Sequence, residues 1–225
     1  MSGVPKRRFD LSDVSLYVVT TPPRAGQTYA DQVSNACAGG ADIIQLRDKK
    51  LSTRDLLRLS RELQAICDRT GALFVLNDRV DVAIVADVDG VHVGQEDLPV
   101  RQARALLGHR KLIGCSTHST AQALAAVGDG ADYISCGPIF ATPTKPDYAP
   151  VGLDLIKEYK RLVRVPVVAI GGIELDNVDR AVAAGADRVA VVRAVGESPD
   201  PAAAARALKE KIFQAKAQRS AVAPR

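Results

Sequence analysis

Short apolar, β-branched runs recur along the chain, and each gives way at once to polar or glycine residues. Such runs lie near Leu16 to Thr20, Ile43 to Arg47, Leu73 to Asn77, Gly90 to Val93, Leu112 to Cys115, Tyr133 to Cys136, Val167 to Ile170 and Val189 to Val192. Helical patterns fill the intervals. In Ser52 to Asp68, Leu56, Leu59, Leu63 and Ile66 recur at the spacing of one helix face. Short strands alternating with longer helices predict a parallel sheet, and eight such units close on themselves. The expected fold class is therefore α/β, a (β/α)8 TIM barrel in a single domain. A last helix near Pro201 to Ala215 is expected to complete the count of units.

The tripeptide Gly-Ala-Asp precedes three of these runs, at Gly40-Ala41-Asp42, Gly130-Ala131-Asp132 and Gly185-Ala186-Asp187. Each copy follows an alanine-rich helical pattern, so the glycine reads as a left-handed helix stop and the next residues as a turn into a strand. The barrel domain is expected over residues 11-217, with residues 1-10 and 218-225 as flexible ends. The loop from Gly137 to Val151 carries Pro138, Pro143, Pro146 and Pro150, too much proline for a strand or helix. Long loops of this kind are usually functional.

The chain of 225 residues, 47% hydrophobic and 25% charged, suits one barrel better than two domains. Its net charge of +4 is modest and dispersed, which gives no sign of a nucleic-acid partner. Four cysteines lie far apart without a C-x-x-C pair. No apolar run approaches the roughly 20 residues a spanning helix needs. A cytoplasmic protein with reduced thiols, and no membrane partner, is expected.

The polar residues that end the runs suit phosphorylated ligands. In Gln45-Leu46-Arg47-Asp48-Lys49, alternation aims Gln45 and Arg47 to one side. Arginine grips phosphate oxygens bidentately and lysine adds a point charge, although a solvated surface cluster would read the same way. Asp78 and Asp97 each follow a strand, one barrel step apart. Singly, each reads as an ordinary helix cap; together they form a pair able to share Mg²⁺ with substrate phosphate. Gly171-Gly172 and the Val192-Arg193-Ala194 turn fall where such barrels hold a phosphate monoester. Thr142, Pro143, Thr144 and Lys145 offer two hydroxyls and a cation from the proline-rich loop, against the plainer reading of a solvent turn. Ser116 and His118 lack an orienting acid and a glycine elbow, so they are not read as a nucleophile and its base. His92 reads as a packed strand residue. Two phosphorylated groups, a pyrophosphate and a monophosphate, fit this set of positions.

Six ordered motifs carry a family resemblance: Gln45 to Lys49, Asn77-Asp78-Arg79, Gly90 to Asp97, Gly114-Cys115-Ser116, Gly137 to Lys145 and Ala169 to Ile173. They strongly resemble thiamine-phosphate synthase, from about Leu16 to the final helix. The resemblance implies a Mg²⁺-dependent transferase that joins hydroxymethylpyrimidine pyrophosphate to a thiazole phosphate, giving thiamine monophosphate and pyrophosphate. It implies that Gln45, Leu46, Arg47, Asp48, Lys49, Asn77, Ser116 and Lys145 hold the pyrimidine substrate, with Arg47, Lys49, Ser116 and Lys145 taking catalytic roles. Asp78 and Asp97 would bind the metal. Thr142, Pro143 and Thr144 with Gly171, Gly172, Val192 and Arg193 would receive the thiazole phosphate. Members of the family often carry serine where Arg193 stands. The implied partners are two small phosphorylated substrates, and a homo-oligomer is compatible. A thiazole tautomerase on the same barrel would leave the aspartates and the Arg47-Asp48-Lys49 cluster surplus. A non-catalytic binder of thiamine precursors would leave every retained charge unexplained.

Overall fold

The computed structural model describes residues 9–143 and 149–222. Its elements run β1 (Leu16–Val19), α1 (Tyr29–Ala38), β2 (Ile43–Leu46), α2 (Thr53–Thr70), β3 (Leu73–Asn77), α3 (Val80–Ala86), β4 (Gly90–Val93) and α4 (Val100–Leu107). They continue β5 (Leu112–Thr117), α5 (Thr120–Gly128), β6 (Tyr133–Cys136), α6 (Asp154–Leu162), β7 (Val167–Ile170), α7 (Val178–Ala183), β8 (Arg188–Val191), α8 (Arg193–Gly196) and α9 (Pro201–Val222). The strands form one closed parallel barrel in chain order, β8 pairing back to β1 through Leu16 and Val189.

Alternation along each strand divides the apolar residues into two cores. Leu16, Val18, Ile44 and Leu46 face outward into the layer beneath the helices. Tyr17, Val19, Ile43, Val75, Leu112, Tyr133 and Val168 fill the barrel itself. Ser52 caps α2 by accepting from the Asp55 N–H, and Leu56, Leu63 and Ile66 are buried beneath that helix, as its spacing predicts.

The Gly-Ala-Asp repeat has two jobs. Gly40, Gly130 and Gly185 take φ of +90°, +100° and +115°, the left-handed stop expected of them. The aspartates then fasten the lower rim. Asp42 accepts from the Ser15 and Leu16 N–H groups, both at 2.9 Å, and from Lys209 at 2.6 Å. Asp132 accepts from the Ile113 N–H at 2.8 Å and pairs with Arg104. Asp187 instead clasps Lys160 and Arg219. Asp89, outside the repeat, copies the device by accepting from the Phe74 N–H at 3.0 Å. At the entrances of β1, β3 and β5 the first N–H groups lie at the sheet's end, and a carboxylate from the neighbouring turn satisfies them.

The N-terminal segment closes the bottom of the barrel. Leu11 and Val14, with Phe9 beside them, plug the barrel interior, and the Leu11 carbonyl accepts from Arg188 Nε and Nη2 at 2.9 and 2.6 Å. Helix α9 lies outside, against α1 and α7. It also continues to Val222, past the expected stop at Ala215, because Arg219 reaches the Val182 carbonyl and Asp187.

Candidate active site

The opposite, C-terminal end of the barrel holds an open cavity with an empty volume of about 1030 Å³. Gln45, Arg47, Asn77, Ser116, Thr142, Gly171, Gly172, Val192 and Arg193 all line it. Leu46 stands apart. Its side chain is fully buried on the outer face of β2, so only its main chain could meet a ligand. Asp48 also turns away: its carboxylate accepts from Tyr29 Oη at 2.6 Å and from the Lys50 N–H at 2.7 Å. Burial works to raise the Asp48 pKa, yet these donors together hold it below the usual carboxylate value. Asp48 is thus the tie that shapes the turn presenting Arg47. No acid among the described residues pairs with Arg47, which leaves its guanidinium available to an anion. Pro143 is exposed beyond Thr142, and Thr144 and Lys145 lie outside the described residues.

Asp78 and Asp97 face each other at the rim, beside the cavity rather than in its wall. Asp78 follows Asn77, which does line the cavity, and its N–H donates to the His92 carbonyl at 2.8 Å. Its φ of +62° is left-handed, a conformation aspartate adopts more readily than most residues. Asp97 accepts from the Gly94 N–H at 2.7 Å. Lys49 Nζ stands 3.4 Å from Asp78, and its side chain is 63% exposed. Burial first, and then the Asp97 carboxylate, push the Asp78 pKa up, with Lys49 opposing. Two adjoining carboxylates are a hard-oxygen donor set. Among the described residues no group of three or more His, Cys, Asp or Glu gathers. A cation that completes its shell with ligand oxygens fits this pair.

The raised Asp78 pKa sets a pH dependence. A folded pKa above the unfolded value means the folded chain holds that proton more tightly. The resulting stabilisation is fully present below the unfolded pKa and is lost as pH rises through the folded one. At neutral pH without metal, Asp78→Asn should raise the thermal midpoint, and the gap should close below about pH 4. A gap that ignores pH would mean that neither burial nor Asp97 raises the Asp78 pKa.

The cavity's other side is built from backbone. Gly171 and Gly172 take φ of +101° and +62° as β7 passes beneath the loop after β6. A Cβ on Gly171 would come within 2.5 Å of Pro138 Cα, and one on Gly172 within 2.5 Å of the Ala141 carbonyl oxygen. Ile139 and Phe140 N–H groups donate to the Ile170 and Gly171 carbonyls at 2.9 Å, locking the two loops together. Arg193 opens the short helix α8, with Nη2 3.5 Å from Glu174 Oε1. Both are partly exposed, so the pair is weak and Arg193 can be drawn to an anion.

The floor is where sequence reasoning missed most. Gln45 Nε2 donates to Tyr17 Oη at 2.6 Å, and Tyr17 Oη lies 3.0 Å from Tyr133 Oη. Tyr133 Oη is 3.1 Å from His92 Nδ1, and His92 Nε2 is 2.9 Å from Ser116 Oγ. Burial pushes both phenol pKa values up, so both hydroxyls keep their protons. His92 is buried, as expected, yet it is a cavity residue bonded to Ser116. His118 bonds the Gly137 carbonyl instead. With a phenol rather than a carboxylate behind His92, Ser116 has no triad. Glu174 and Ser135 also line the cavity unforeseen.

A family model described as thiamine monophosphate synthase matches residues 16–195. The chain belongs to the thiamine monophosphate synthase family. The thiamine-phosphate synthase of Methanoculleus marisnigri is 50% identical over 205 residues, covering 90% of this chain and 97% of that protein. That of Gloeobacter violaceus is 47% identical over 186 residues, 83% of this chain. The match spans only 54% of the Gloeobacter protein, about half its length. The solved thiamine phosphate pyrophosphorylase of Pyrococcus furiosus superposes with a TM-score of 0.83 at 36% identity, covering 90% of this chain and 96% of that one. Among the described residues no helix is long and apolar enough to cross a membrane.

Proposed function

We propose that the chain joins hydroxymethylpyrimidine pyrophosphate to a thiazole phosphate, releasing pyrophosphate and forming thiamine monophosphate. The observation that carries this reading is one cavity with two anion-ready sides. Arg47, with Lys49 and the aspartate pair at the rim, offers one; Gly171, Gly172 and Arg193 offer the other. A tautomerase would need only the second. Free thiols at all four cysteines fit a reducing, cytoplasmic setting.

In the reaction, the bond between the pyrimidine methylene and the pyrophosphate oxygen breaks, and its electron pair leaves with the pyrophosphate. The aminopyrimidine ring stabilises the cation left behind. The thiazole nitrogen then gives its lone pair to that methylene, so no general base is required. Mg²⁺ held by Asp78 and Asp97 would neutralise charge growing on the departing group. Arg47 and Lys49 bind the same oxygens, and the walls set the two rings face to face, which removes much of the entropic barrier.

The reading predicts that added Mg²⁺ raises the thermal midpoint of the wild-type chain and leaves that of Asp78→Asn unmoved. Arg193→Ala should raise KM for the thiazole phosphate about tenfold, the worth of one charged hydrogen bond, with KM for the pyrimidine substrate unchanged. The reverse pattern would exchange the two sides.

A further inference from the structure

The buried bonds that cross the barrel form one directed chain. A phenol has a single proton to give. Gln45 uses its amide N–H on Tyr17, so Tyr17 must spend its own proton on Tyr133, since no other acceptor is bonded to it among the described residues. Tyr133 must then donate to His92 Nδ1, which leaves the ring proton on Nε2, directed at Ser116 Oγ. Ser116 accepts that bond and keeps its hydroxyl proton for the cavity. At the far end, the amide oxygen of Gln45 is likewise left to the cavity. Tyr17 is 2% exposed and Tyr133 0%, so water cannot readily substitute for a missing link. The space for this chain is itself built: a Cβ on Gly114 would overlap the Tyr133 ring and its hydroxyl.

We infer that Tyr17, Tyr133 and His92 are positioning residues that set the hydrogen-bond polarity of the cavity floor, so that Gln45 presents an acceptor and Ser116 a donor to the ring bound above them. The inference rests on the proposed function for the identity of that ring. An aminopyrimidine carries the complementary pattern, an amino donor beside a ring-nitrogen acceptor. Replacing the amino group with a carbonyl oxygen reverses it, giving an acceptor beside a ring N–H. The oxo ring would set its carbonyl oxygen against the Gln45 amide oxygen, two acceptors with no proton between them.

The test compares dissociation constants for the aminopyrimidine pyrophosphate and its oxo analogue, measured by calorimetry with Mg²⁺ and without the thiazole substrate, so that chemistry does not enter. The wild-type chain should prefer the amino ligand by about a hundredfold, because the wrong ring strands buried polar groups. Tyr133→Phe and Tyr17→Phe, at two different links, should each cut that preference about tenfold or more. A purely structural role would weaken both ligands together and leave the ratio alone. Unchanged ratios in both variants, or a wild-type preference for the oxo ligand, would overturn the relay. A wild-type chain that binds neither ligand would overturn the proposed function and the relay with it.

Discussion

Asp78→Asn and Asp97→Asn should each cut turnover about a hundredfold or more while the barrel stays folded, the loss usual for a removed transition-state charge contact. Asparagine is the informative replacement at position 78. It tolerates the left-handed backbone that Asp78 adopts at φ +62°, whereas alanine would add strain to the loss of charge. Burial first and Asp97 second lift the Asp78 pKa, and removing either carboxylate ends their repulsion, so the fold should gain stability as the chemistry is lost. A site held under tension for its ligand behaves this way. Steady-state rates and thermal midpoints, taken on the same preparations, check both halves. Wild-type turnover in both variants would remove the pair from the reaction.

The largest loss of stability should come from the opposite rim. Asp132→Ala is expected to cost about 3–5 kcal/mol, the typical result of stranding one member of a buried ion pair. The Arg104 and Asp132 side chains are only 12% and 10% exposed, and Asp132 also holds the Ile113 N–H at the entrance of β5. For a chain of this length that corresponds to a fall in thermal midpoint of about 10 °C. Asp187→Ala should cost clearly less. Its partners Lys160 and Arg219 are 45% and 30% exposed and can return to water. Equal losses at the two positions would mean that burial does not set the worth of these ties.

Much of the barrel could be read before any coordinates. A parallel strand covered by helices must be nearly continuous in apolar residues, and a helix over it must repeat at three to four, so the two patterns separate cleanly. Polar residues at strand ends were legible for the same reason. What lies inside the barrel was not. Alternation tells which strand residues face inward but not which of them meet across the interior. Tyr17 and Tyr133 therefore drew no notice beyond their strands, and His92 read as a packed residue. The register of β4 against β5, His92 opposite Gly114, is what sets the imidazole next to Ser116 one layer above. Leu46 and Asp48 were grouped with Gln45 and Arg47 by adjacency, although one faces the helices and the other ties its own turn. The plug at Leu11 was hidden because a short irregular segment has no period to detect.

The most direct measurement follows both products when the purified chain is given the pyrimidine pyrophosphate and the thiazole phosphate with Mg²⁺. Thiamine monophosphate and pyrophosphate should accumulate in equal amounts, neither forming when a substrate is withheld or the metal is chelated. Pyrophosphate released without thiamine monophosphate, or no product at all, would contradict the account.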